Sequence, residues 1–153
     1  MALDVRFLGR DGASFELSLL GWQRPRGAAN EIDANRLKVR LVITTNEGTV
    51  DEVAPCLVAW EVERLADWFE ALAAHRATDA EQCFLEPDLR FRISPASGVA
   101  RLLRIGIDLR GRRKPGTPAP VGEISFSASD DDLGAAARAL RAGARRYPVR
   151  ESR

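Results

Sequence analysis

Residues 36–43 constrain the fold more than any other stretch. Leu37, Val39, Leu41 and Ile43 alternate with Arg36, Lys38 and Arg40. Successive side chains of a strand point to opposite faces, so the pattern predicts a strand with one face in a core and a cationic face in solvent. Strands of that kind belong to antiparallel sheets covered on one side. The rest of the sheet should therefore lie nearby in the sequence.

Two earlier segments fit. Leu3, Val5 and Phe7 alternate with Asp4 and Arg6, and Phe15, Leu17 and Leu19 alternate with Glu16 and Ser18. Gly9-Arg10-Asp11-Gly12 between them reads as the turn of a hairpin. The Gly-, Pro- and Asn-rich segment from Gly21 to Asn35 reads as a loop. Asn46-Glu47-Gly48 turns the chain into a further strand, Thr49 to Val53, which Pro55 is expected to break.

The period then changes from two to 3.6. Val62, Leu65, Phe69 and Leu72 recur at helical spacing, widened by Trp60, Ala66 and Trp68, and predict a helix from about Leu57 to His75. Trp60 and Phe69 should both be buried. Glu61 and Glu63 near its start, and His75 and Arg76 near its end, match the helix dipole. A second block of strands follows: Glu81 to Glu86, Leu89 to Ile93, Val99 to Leu109, and a short one at Ile124 and Phe126. Ser129-Asp130-Asp131-Asp132 then opens a second helix, with Ser129 as N-cap and Asp132 reaching back to it. Leu133, Ala137, Leu140 and Tyr147 line one side of it, and Pro148 ends it. The fold class expected is α+β, a mainly antiparallel β-sheet with two packed α-helices, in a single domain over residues 1–153.

Few side chains suggest chemistry. His75 is the only histidine, and at a helix end it reads as a solvated residue. Cys56 and Cys83 have no metal-ligand spacing and read as two buried free thiols. Asp130, Asp131 and Asp132 could attract a divalent cation, but helix capping accounts for them. No phosphate-binding or nucleophile-elbow motif occurs. The chain is expected to be no enzyme and to need no cofactor or metal. Asp4, Arg6 and Arg10 fit no signal peptide, and the longest uncharged apolar stretch, Ala54 to Trp60, is far short of the ~20 residues of a membrane span. A cytoplasmic location away from the membrane is expected.

The remaining candidates are binding surfaces. Glu63, Asp67 and Glu70 share one helical face and could form an acidic docking strip. Arg36, Lys38 and Arg40 could receive an acidic partner. Arg110, Arg112, Arg113 and Lys114 form a basic loop that could serve a small regulatory or nucleic-acid-associated domain. However, 23 basic against 22 acidic residues give a net charge of only +1, and no aromatic residue interleaves with those cations. Nucleic-acid binding is therefore disfavoured.

Several stretches, taken together, resemble the WapI-type immunity proteins of bacteria. They are Asp33-Ala34-Asn35-Arg36-Leu37, the run from Pro55 to Leu65 containing Trp60-Glu61, Leu85-Glu86-Pro87-Asp88-Leu89-Arg90-Phe91, Ile124-Ser125-Phe126, and a closing helix ending at Tyr147-Pro148. The resemblance implies a small cytoplasmic protein that neutralises a cognate toxin domain by binding it. In that family Trp tends to stand at the position of Arg36, and Ser or Thr at the position of Ala59. The second difference implies loss of a helix cap worth ~1 kcal/mol.

Overall fold

The computed structural model describes residues 4–24, 30–94, 100–109 and 121–151. The alternation around Val39 does form a strand, and it sits inside a four-stranded sheet. Strands β1 (Asp4–Leu8), β2 (Ser14–Trp22), β3 (Arg36–Thr45) and β4 (Gly48–Val58) pair in that order, all antiparallel. Strands β5 (Glu81–Cys83), β6 (Leu89–Ser94), β7 (Ala100–Asp108) and β8 (Val121–Ser129) form a second antiparallel sheet, also in sequence order. A short helix α1 (Glu31–Asn35) precedes β3, α2 (Ala59–Ala73) follows β4, and α3 (Asp130–Arg146) follows β8. The expected α+β class is what the chain adopts, with the strands divided between two sheets.

Several boundaries differ from those expected, each for a local reason. Pro55 does not end β4. It lies on an edge strand, where its missing N–H is tolerated, and a register shift between Leu37 and Val39 absorbs the irregularity. Leu57 and Val58 are consequently strand, and α2 begins only at Ala59. The predicted strand from Glu81 to Glu86 shrinks to Glu81–Cys83. Conversely β8 is nine residues long rather than short, because the serines flanking Phe126 pair as well as larger residues do. Asn30 caps α1 inside the segment read as loop, accepting from the Asp33 N–H at 2.9 Å. Leu3, Val99 and the basic loop from Arg110 to Pro120 lie outside the described residues.

One hydrophobic cluster takes side chains from both sheets, α2 and α3. Its centre is aromatic. The Phe69 ring of α2 lies 5.9 Å from Phe7 of β1 and 5.7 Å from Phe91 of β6. Phe15 of β2 meets Phe91 edge-on at 6.1 Å. Such tilted and edge-to-face contacts add to the burial energy. Phe69 is fully buried as expected, but Trp60 is only half-buried. The helix α3 comes close to β2 at Gly143, where a Cβ would stand 2.5 Å from Leu19 Cδ1.

Candidate functional site

The acidic strip of α2 is matched from within the fold. Asp67 and Glu70 both accept from the Arg141 guanidinium of α3, at 2.6 and 2.8 Å. These bonds, that to Asp67 first, raise the Arg141 pKa above its ordinary value. Arg76 lies 3.7 Å from Glu70. Glu63 alone of the three is exposed with no ion-pair partner among the described residues. The strip is thus one half of an acid–base seam between two helices. A signal for it was present: Arg138, Arg141 and Arg145 recur at helical spacing.

The cations of β3 are likewise unequal. Arg36 does not face solvent as its alternation implied; its side chain is 18% exposed. Its guanidinium donates to Glu86 and to the Pro55 carbonyl, and lies 3.9 Å from Asp33. Arg40 grips Asp51 with two bonds, at 2.8 and 2.5 Å. That pairing raises the Arg40 pKa and lowers that of Asp51, the side-chain hydrogen bond being the main cause in each case. Lys38 is exposed and has no ion-pair partner among the described residues.

His75 is exposed, as expected, but it also has a partner. It lies just beyond α2 with φ of 58°, and its Nε2 is 2.8 Å from Asp130 Oδ2 at the start of α3. Arg101 donates to the same carboxylate at 3.1 Å and to the Leu72 carbonyl. The bond from His75, ahead of that from Arg101, holds the Asp130 carboxyl below its usual range. Ser129 and Asp132 form the expected reciprocal cap, so Asp132 works at the head of α3 and Asp130 joins it to the end of α2. Cys56 is buried as expected, but Cys83 is exposed, and its thiol is pushed up by a hydrogen bond to Glu81.

Residues in the recognised stretches work as joints. Glu61 is buried, and its two oxygens accept the Val58 N–H at 3.0 Å and the Leu85 N–H at 2.8 Å. Val58 is the N-cap of α2, so Ala59 is the first helical residue rather than the cap, and Glu61 satisfies the entry in its place. Asn35, also buried, bonds to Arg150 near the other end of the chain. The Arg150 guanidinium stacks on Trp22 at 3.8 Å, and Trp22 meets Tyr147 edge-on.

Among the described residues, no group of three or more His, Cys, Asp or Glu is placed to hold a metal ion. No helix among them is long and apolar enough to cross a membrane. A model of a protein family, the immunity protein WapI-like family, matches residues 6–148. No curated protein and no solved structure matches the chain.

Proposed function

The chain belongs to the WapI-like immunity protein family, and from that premise we propose that it neutralises one cognate toxin domain by forming a stoichiometric complex with it. The family match, spanning nearly the whole chain, carries this reading. The protein acts by occupancy and not by turnover, and it meets its toxin in the cytoplasm. A standard protein–protein interface takes about 800 Å² from each partner. That is roughly a tenth of the 8678 Å² this protein exposes, so one face is enough.

Charged side chains already committed to internal ion pairs contribute less to recognition than free ones, since a partner must first displace what holds them. Of the six charged candidates, Lys38 and Glu63 are free in this sense, whereas Arg36, Arg40, Asp67 and Glu70 are held. The test is co-expression with a toxin domain from the adjacent gene, where one exists, followed by pull-down and growth rescue. Rescue with an equimolar complex is expected. A toxin that kills at full expression of this protein, with no complex recovered, overturns the reading.

A further inference from the structure

The outer face of the second sheet carries an arrangement that folding alone does not favour. Arg92 of β6 stands directly across from Arg104 of β7. Like charges at opposed positions of neighbouring strands are destabilising. Relief is incomplete: Arg92 donates to Glu123 at 2.6 Å, but Arg104 has no ion-pair partner among the described residues. The Nε of Arg92 is buried without a hydrogen-bond partner. Arg90, next on the same face, lies 3.4 Å from Glu81. Three guanidinium groups thus face Glu81 and Glu123, while the further carboxylate of this face, Asp108, stands four residues along β7 from Arg104.

Beside them the sheet is low. Gly106 stands across from Arg90 on one side and Glu123 on the other. It lies at the floor of a trough of about 610 Å³ that also borders Cys83 and Phe84. Ser125 and Ser127 of β8 are exposed and short, which keeps that side shallow.

We infer that this face docks a carboxylate-bearing segment of the protein partner, its acidic side chains seated on Arg92 and Arg104 beside the Gly106 trough. The inference rests on the reading of the chain as a toxin-binding protein, and adds to it the face used and the sign of what is bound. A carboxylate between two guanidinium groups accepts charge-assisted, often bidentate, hydrogen bonds from them and removes their mutual repulsion. A protein acid fits better than a nucleic acid, because the outward side chains of β6 and β7 include no aromatic ring on which a base could stack, and the ring that borders the trough, Phe84, is half-buried and lies under the Arg64 guanidinium.

The test uses isotope-labelled full-length protein and a synthetic fifteen-residue peptide rich in Glu and Asp. Amide shifts on adding the peptide are expected at Arg90, Arg92, Arg104 and Ser125. The Arg92→Gln/Arg104→Gln protein, and Arg104→Gln alone, should bind the peptide more weakly, the double variant by about tenfold or more. Both should melt no lower than the wild type, since the repulsion is gone. Arg138→Gln/Arg145→Gln should bind as the wild type does. Shifts that map to α3, unchanged affinity in the double variant, a lowered melting temperature, or tighter binding of an RNA oligomer of equal charge would each overturn the inference. In the co-expression assay, rescue by wild type and double variant alike counts against this face only. Failure of the wild type to rescue, with the peptide still mapping here, counts against the immunity reading only.

Discussion

Asn35 and Arg150 exchange two hydrogen bonds: the Asn35 amide donates to the Arg150 carbonyl at 2.8 Å, and the Arg150 N–H donates to Asn35 Oδ1 at 2.6 Å. One side chain thereby does for the tail what a strand partner would do. Removing it leaves a part-buried backbone donor and acceptor without their partner. Asn35→Ala should cost about 1–3 kcal/mol in chemical denaturation. It should also alter Trp22 fluorescence, because the backbone of Arg150 is released and its guanidinium, stacked on that ring, is then held only by its bonds to the Ala34 and Arg24 carbonyls. An unchanged spectrum with unchanged stability would mean that the tail is not pinned there.

Glu61 makes a similar prediction at the start of α2. Its oxygens each serve a different backbone N–H, one within its own helix entry and one at Leu85. Glu61→Gln keeps the volume but has one acceptor oxygen in place of two. The loss expected is about 1–3 kcal/mol, read as a shift of the urea midpoint with an unchanged slope.

The two aromatic residues expected to be equivalent on α2 should not behave alike. Phe69→Ala removes a fully buried ring and should cost ~3–5 kcal/mol. Trp60→Ala, at a half-buried site, should cost about half of that. Equal losses would place Trp60 deeper than the structure does.

The Asp130 carboxylate makes stability depend on pH in a stated direction. Its folded pKa is lowered from 3.8, first by the bond from His75. A carboxyl of this kind stabilises the fold fully above its ordinary pKa, and the contribution is lost as pH falls below 3.8 through the lowered value. The Asp130→Asn protein should therefore lose less stability than the wild type over that acid range. Parallel denaturation series on either side of 3.8 would show it.

Charge reversals separate free residues from held ones. Glu63→Lys and Lys38→Glu should leave stability within about 0.5 kcal/mol. Arg141→Gln should cost somewhat more, up to about 1 kcal/mol, because it leaves Asp67 and Glu70 on the surface without their shared cation. Glu63→Lys is therefore the cleaner probe of the acidic strip in binding assays, since Asp67→Lys would also disturb the contact between α2 and α3.

What was legible in the sequence follows from the range of each interaction. The alternation of Leu37, Val39 and Leu41 is local and gave the strand directly, as did the Ser129–Asp132 cap. The direction of Arg36 was also local, but its partner Glu86 is fifty positions away, and no period in the sequence joins them. The same holds for Arg141 with Asp67. Pro55 misled because its rule concerns central strands, and only the structure shows β4 to be at an edge. The like-charge pair Arg92 and Arg104 needed the register of β6 against β7, which hydrophobic alternation leaves undetermined by steps of two. The stretches that carry the resemblance to the family include joints of the fold, such as Asn35 and Glu61.

The position of Phe69 bears on how the molecule comes apart. The two sheets have no strand in common, and by connectivity alone each could open by itself. A ring in contact with Phe7 of one sheet and Phe91 of the other removes that freedom, since opening either sheet strips one side of the same buried side chain. Amide hydrogens of β2 and β6 should accordingly exchange with the same opening free energy, as members of one cooperative unit. In the Phe69→Ala protein the two sets of exchange rates should separate.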